Sequence, residues 1–417
     1  PASKEIIEKV LERKYRELTN PEIGTIANFS EGNFRVALAL AETSKRGESL
    51  ANLNDSELFK RLFRQKNEHD PALYRAAMVC SLVYSFDGET VDGDDAELPA
   101  LASLAGQSLP DFHAHIAELS RRQLIQKRSK WRALLPHAMA HRLAKQALED
   151  LPQKLVVETF VNGNMPDRLR LSFSRRIGFL HDSAEAKKLV GEWLAKGGWL
   201  ADVGRLNDLG WTILDNVAPV DPDGVLACME EAASQDEEFF NQPDARKQSI
   251  VRLLRAIAYE PSTFDRAINL IIQFTKDGEQ SNNLGDAINV FSSLFTLFLS
   301  GTMAPPEIRA AAISRLGKTG DVRDAKLAMS ALGSMLQTHH FSSSYGFEFG
   351  TRKRDYGFRP RTGGDYRAWF SAAFAACREL DQLPHMRAEV RQLVGNNFAQ
   401  LVSMTGMTEE LVDLADH

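Results

Sequence analysis

Gly317-Lys318-Thr319 is the stretch that comes nearest to phosphate chemistry. A phosphate-cradling loop has the form Gly-x-x-x-x-Gly-Lys-Ser/Thr between a strand and a helix, because its backbone amides must surround the phosphates. Here the position five before Gly317 is Ala312. The run also follows a helical pattern from Pro306 to Leu316, so Gly317 is expected to cap that helix at its C-terminus. Elsewhere no acid pair, Ser/His/Asp set or metal-ligand cluster stands out. His339 and His340 are adjacent rather than three or four apart, so on a helix they would not share a face. No residue is therefore expected to be catalytic or to hold a metal.

Recognition is the other chemistry written here, between His339 and Tyr366. Tyr345, Phe347 and Phe349 precede a cationic stretch, Arg352, Lys353 and Arg354; Tyr356 and Phe358 follow it, then Arg359 and Arg361. A structureless segment of this length inside a compact helical array is uncommon and usually functional. Tyr and Arg dominate binding hot spots, and basic residues among aromatics also suit single-stranded nucleic acid. A protein partner is the favoured reading. The bland alternative is filler, with the aromatics between helix layers and the arginines paired to acids. Alternation in Ser-Tyr-Gly-Phe-Glu-Phe-Gly and a turn at Thr351-Arg352-Lys353 predict a projecting β-hairpin.

The elements that carry these residues follow from periodicity. Leu109, Phe112, Ile116, Leu119 and Leu124 recur close to helical spacing, predicting a helix over 111–123. Leu124 to Arg128 and Trp131 to Leu135, around a polar Ser129-Lys130 tip, predict a β-ribbon, with a further helix from His137 to Glu149. Upstream, a helix over 73–84, a turn at Asp87-Gly88 and a helix over 97–104 complete the outline of a winged helix. Such a module usually suggests DNA. The helix over 111–123, however, exposes Asp111 and Glu118 beside Arg121 and Arg122, whereas phosphate contacts need a basic face. The wing itself carries Lys127, Arg128, Lys130 and Arg132, so an internal, domain-linking winged helix is favoured over a duplex reader.

From Leu155 onward helices alternate with short turns at Gly197-Gly198, Asp221 to Gly224, Pro261-Ser262, Asp277-Gly278 and Pro305-Pro306. Ser262 with Asp265 and Asp321 with Asp324 have the spacing of helix N-caps. Stacked helix pairs give an α-solenoid of TPR or HEAT character, although no strict period is visible. The expected fold is thus mainly α: a lid-like helical subdomain over 1–70, a winged helix over 71–152, and a helical-repeat sensor over 153–417. The sensor carries the hairpin insert at 339–366.

The 417 residues are 43% hydrophobic and 25% charged, the balance of an ordinary soluble protein. A net charge of −6 argues against a surface wholly devoted to nucleic acid or anionic lipid. Cys80, Cys228 and Cys377 lie far apart in apolar contexts, as reduced core residues of a cytoplasmic protein do. No apolar stretch reaches bilayer length, so no membrane contact is expected. The opening Pro1-Ala2-Ser3-Lys4 leads straight into a charged helix and reads as a chain cut within a larger protein.

Near the start, a helix leads into Ser30-Glu31-Gly32-Asn33-Phe34-Arg35 and then a short helix rich in Ala and Leu. This arrangement resembles the lid subdomain that follows the nucleotide-binding core of STAND NTPases, the class of NLR-type immune receptors and bacterial antiphage sensors. Phe34 stands where the family commonly has a proline. In that family a winged helix follows, and its last helix begins with a Met-His-Asp motif whose histidine contacts the β-phosphate of ADP. Here Pro136-His137-Ala138 keeps the histidine alone. A helix N-terminus adds unpaired amides to the imidazole donor. The resemblance covers residues 1 to about 150.

The resemblance implies that Gly32, Arg35 and His137 lie at a nucleotide, and that the longer protein carries an upstream ATPase core using ADP or ATP with Mg. This chain would hold no cofactor itself. It also implies a trigger, a phage protein, bound by the repeats, and self-oligomerisation through the core. The alternatives are a winged-helix transcription regulator with a helical sensor and a plain protein-interaction scaffold.

Overall fold

The computed structural model describes residues 3–30, 32–44, 50, 53, 57–58, 70–122, 124–135, 137–163, 165–235, 237–275 and 287–416. Among these residues the fold is mainly helical, with one small three-stranded sheet. Contacts separate the chain into two units, residues 1–192 with 207–220, and residues 193–206 with 221–417.

In the first unit α1 (Lys4–Lys14), α2 (Asn20–Ser30) and α3 (Phe34–Ser44) pack on one another through Ile7, Leu11, Ile26 and Leu40. Glu22 is buried there. Its carboxylate accepts from the Thr19 amide at 2.9 Å and the Leu50 amide at 2.9 Å, which satisfies the charge with main-chain donors. Gly32 takes φ +86°, and the Asn33 side chain accepts from the Val36 amide to open α3. Much of the rest of the lid-like region, residues 45–49, 51–52, 54–56 and 59–69, lies outside the described residues.

Next come α4 (Pro71–Ser81), β1 (Phe86–Asp87), α5 (Leu98–Ala105), α6 (Leu109–Arg121), β2 (Ile125–Arg128), β3 (Trp131–Leu134) and α7 (His137–Asp150). Asp70 caps α4, Ser108 caps α6, and Gly106 closes α5 in the left-handed conformation. The sheet order is β1-β3-β2, all antiparallel, which is the strand order of a winged helix. Asp87, expected in a turn, sits instead in a strand opposite Trp131. Two residues are too few to show a period of two.

The same unit continues through α8 (Gln153–Val157), a π-helical turn over Glu158–Asn162, α9 (Asp167–Gly178), α10 (Ala184–Leu194, its last two residues in the second unit) and α11 (Asp208–Val217). A side chain at Gly178 would fall 1.9 Å from the Asn216 carbonyl, so α9 and α11 meet backbone to backbone. The Tyr84 and Ser85 amides donate to the carbonyl and hydroxyl of Ser172, joining α9 to the winged helix.

The second unit is a helical array: α12 (Pro222–Gln235), α13 (Asp244–Ile257), α14 (Pro261–Phe274), α15 (Ala287–Ser293), α16 (Pro306–Gly317), α17 (Val322–Met335), α18 (Gly363–Asp381), α19 (Arg387–Thr405) and α20 (Thr408–Asp416). Most helices pack on the next or the next but one, burying Leu254, Ile257, Phe264, Ile268 and Ile271. Asp321 caps α17 as expected. Ser262 does not cap α14, which already begins at Pro261 behind Glu260. Gly317 is the last residue of α16 and Lys318 the residue that caps it, rather than Gly317 standing past the end; a Cβ at Gly317 would sit 2.1 Å from Cδ2 of Leu380 in α18.

Between α17 and α18 the segment 337–361 contains no strand and no helix. Among the described residues the sheet is that of β1, β2 and β3, and the hairpin expected at 339–366 takes another form. Phe341 to Phe349 runs out, Gly350-Thr351 turns it, and the returning limb bonds to a different part of the chain. The Gly301 amide donates to the Tyr356 carbonyl at 2.9 Å, and the Phe358 amide donates to the Thr302 carbonyl at 2.7 Å. Gly357, at φ +90°, permits this: a Cβ there would lie 2.5 Å from the Thr302 nitrogen.

Candidate functional site

In the second unit the aromatic-basic segment is anchored by three arginines, each against aromatic faces. Arg309 of α16 is fully buried, and its guanidinium donates to the carbonyls of Ala304, Leu294, Thr296 and Thr302. Its carbon lies 4.9 Å from the Trp369 ring centre and 5.8 Å from that of Phe358. Arg255 of α13 donates to the Ser300 carbonyl and lies 4.3 Å from the Tyr345 ring centre. Arg354, from the segment itself, lies between Tyr259 at 4.5 Å and Phe349 at 4.3 Å and donates to the Ala256 carbonyl. Burial lowers the pKa of Arg309 to about 9 and those of Arg255 and Arg354 to about 10. All three remain charged at neutral pH.

The expected recognition residues thereby separate into two sets. Tyr345, Phe347, Phe349, Arg354 and Phe358 are buried or half-buried, with Phe358 stacked on Trp369 at 5.7 Å. Lys353, Arg359 and Arg361 are exposed, and Tyr356 is 56% exposed with its ring edge-on to Phe347; Arg352 is half-buried. Asp355 accepts from the Tyr259 hydroxyl at 3.1 Å and from the Gly357 amide at 3.0 Å. Sequence reasoning missed Arg255, Arg309, Tyr259 and Trp369. The signal available was an arginine set in an apolar helix stretch, Leu253-Leu254-Arg255-Ala256-Ile257 and Arg309-Ala310-Ala311-Ala312.

In the first unit His137 opens α7, exposed, with its ring stacked on Tyr84 at 5.0 Å. His141, one turn on, packs against Phe179 at 5.0 Å. Arg175 lies over the outer face of this cluster, 3.9 Å from the Tyr84 ring centre. Arg176 is fully buried and donates to the Val83 carbonyl, while its Nε and Nη1 have no hydrogen-bond partner among the described residues. Burial first, then the Arg176 charge, holds His141 down to about 3 and lowers His137 as well. Both imidazoles are neutral at pH 7, so each can donate one N–H and accept at the other nitrogen. Gly32 occupies its turn at the mouth of α3, and the Arg35 side chain lies outside the described residues. Contact between α7 and α2 runs through Arg142, which donates to the Asn28 carbonyl and lies 5.1 Å from the Phe29 ring centre.

The wing's cations are mostly engaged within the unit. Lys127 and Arg132 both pair with Glu89, at 3.1 and 3.0 Å, and Lys130 pairs with Asp87 at 2.8 Å. Despite the burial of Asp87, which opposes it, Lys130 and the amides of Glu89 and Thr90 hold its carboxyl well below the usual range. Arg168 of α9 pairs with buried Glu97 and lies 4.4 Å from the Trp131 ring centre. On α6, Arg121 and Arg122 both bond to Glu118.

No protein-family model matches the chain, no curated protein matches it and no solved structure matches it.

Proposed function

We propose that this chain is the regulatory and sensing part of a STAND-type NTPase in bacterial antiphage defence, working in the cytoplasm. The observation that carries the reading is His137: a neutral, exposed imidazole at the first residue of the helix after the wing, with Arg175 beside it over Tyr84. A neutral N–H donor, a nearby guanidinium and the open amides of a helix start suit a phosphate oxygen of ADP. The engaged wing supports the same reading. Glu89 and Asp87 occupy the cations that a duplex reader would spend on phosphates, so the winged helix couples domains.

Function then follows as a switch. Contacts from the winged helix favour the ADP-bound core, and a phage protein bound at the repeat array favours the open form. Nucleotide exchange with ATP and Mg and oligomerisation through the core come next. The outward residues of the second unit, Tyr356, Lys353, Arg359 and Arg361, supply the partner surface.

Two variants of the full-length protein test this. His137→Ala should release the resting state and give activity without trigger; Tyr356→Ala should abolish response while leaving the melting temperature unchanged. Trigger-dependent activity unaltered in both would overturn the reading.

A further inference from the structure

Two consecutive arginines of α9 meet the same tyrosine. The guanidinium carbons of Arg175 and Arg176 lie 3.9 and 5.7 Å from the Tyr84 ring centre, and that ring stacks on His137 at the start of α7. Arg175 is exposed, whereas Arg176 is fully buried and makes one hydrogen bond, to the Val83 carbonyl. Its Nε and Nη1, and Nε2 of His141 one turn along α7, are buried with no hydrogen-bond partner among the described residues. Neither arginine is paired with an acid among those residues. The charges felt by His137 are those of Arg176 and then Arg175, and Asp182, the acid acting on His141, is already paired with Lys145. An uncompensated buried cation is expensive, and the Val83 bond and the face of a ring return only part of that cost. Orphaned donors of this kind mark a place where a counter-charge arrives from elsewhere.

We propose that the start of α7 and this arginine pair of α9 form a charge-reading site for a doubly negative phosphoryl group, either free phosphate or the terminal phosphate of a nucleoside diphosphate. His137 and Arg175, both exposed, make the contacts, and Arg176 acts from beneath through its charge. Charge selects the ligand. A terminal phosphoryl group carries roughly −1.5 to −2 at neutral pH, which matches two guanidiniums, whereas a carboxylate or a phosphodiester brings a single negative charge. His137 is neutral, so it donates an N–H without adding a third cation, and a helix start favours the same ligand. The inference rests on the reading of His137 as a phosphate donor and adds to it the residues that set the charge of the ligand.

The chain with isotope-labelled histidines is titrated with inorganic phosphate and with ADP at about pH 8, where a phosphoryl group is mostly a dianion. The His137 ring resonance should shift and saturate, with half-saturation at roughly 1 mM phosphate. Tighter binding of ADP names the nucleotide as the source, and equal affinity names free phosphate. Dimethyl phosphate and acetate, each with a single charge, should bind at least tenfold more weakly, and Arg175→Gln should weaken phosphate to the same degree without changing the melt. Arg176→Met is the decisive variant. It should raise the melting temperature of the ligand-free chain by removing the orphaned charge, and abolish the further rise that phosphate gives the unaltered chain. A lower melting temperature in Arg176→Met would make the arginine a packing residue and overturn the proposal. So would a His137 signal indifferent to phosphate up to about 50 mM, or shifted equally by acetate. In the full-length protein, activity without trigger in His137→Ala but not in Arg176→Met leaves the phosphate contact and removes the charge-reading role. Trigger-dependent activity unaltered in both removes the contact itself.

Discussion

Arg309 lies 4.9 Å from the ring centre of Trp369, and each of its four hydrogen bonds ends on a main-chain oxygen. Arg309→Lys keeps the charge but cannot span four carbonyls with a point-like ammonium. It should cost about 3 kcal/mol, since unpaired buried acceptors and a misplaced buried charge both count. Urea unfolding followed by tryptophan fluorescence would measure the loss; a change under about 1 kcal/mol would mean the carbonyls find other donors.

Arg354 and Tyr356 lie two residues apart and should behave in opposite ways. Arg354 is held between Tyr259 and Phe349, whereas Tyr356 is 56% exposed. Arg354→Ala should lower the melting temperature by several degrees, through lost packing between the two rings and the lost hydrogen bond to the Ala256 carbonyl. Tyr356→Ala should leave the melt unchanged. Equal melting of the two variants would show that the cation contributes nothing to the anchor.

Acid should destabilise the first unit through His141. Its folded pKa is about 3, against roughly 6.5 in the unfolded chain. Above that unfolded value the ring is neutral in both states and contributes nothing. As pH falls below it, only the unfolded chain takes the proton, so stability drops until the folded pKa is reached. The loss between pH 7 and pH 5 should be about 2 kcal/mol. His141→Phe should flatten that slope in melts taken across the range, and an unchanged slope would assign it to other groups.

At about 150 mM salt, where the Debye length is roughly 8 Å, the chain should not shift duplex DNA in a gel. Of the wing's four cations, Lys127, Lys130 and Arg132 are paired with Asp87 or Glu89. A salt-sensitive shift lost in Lys127→Glu with Arg128→Glu would restore the duplex-reading alternative.

Periodicity and caps made α6, β2, β3 and α7 legible within a residue or two, because one apolar stripe and one tight turn decide each locally. β1 was hidden: Phe86-Asp87 becomes a strand only because β3 offers it a ladder. The aromatic segment was legible as exceptional but not in form. Alternation from Ser344 to Gly350 suggested a hairpin, but the chain bends at Tyr345 and the other limb bonds elsewhere, which depends on Gly357 meeting Thr302, a contact between residues far apart in sequence. His137 was visible from its place after the ribbon. Its neutral state was not, since burial and the charge of Arg176, from another helix, decide it.

Since every hydrogen-bond acceptor of Arg309 is a carbonyl, no substitution at Leu294, Thr296, Thr302 or Ala304 removes a bonding partner by changing a side chain. The anchor reads the path of the chain and is indifferent to its spelling. Side chains in that loop act on Arg309 only through the backbone trace they hold, whereas a one-residue insertion or deletion there displaces several acceptors together. A deep mutational scan should record the loop as intolerant of indels, with Arg309 itself invariant among functional variants.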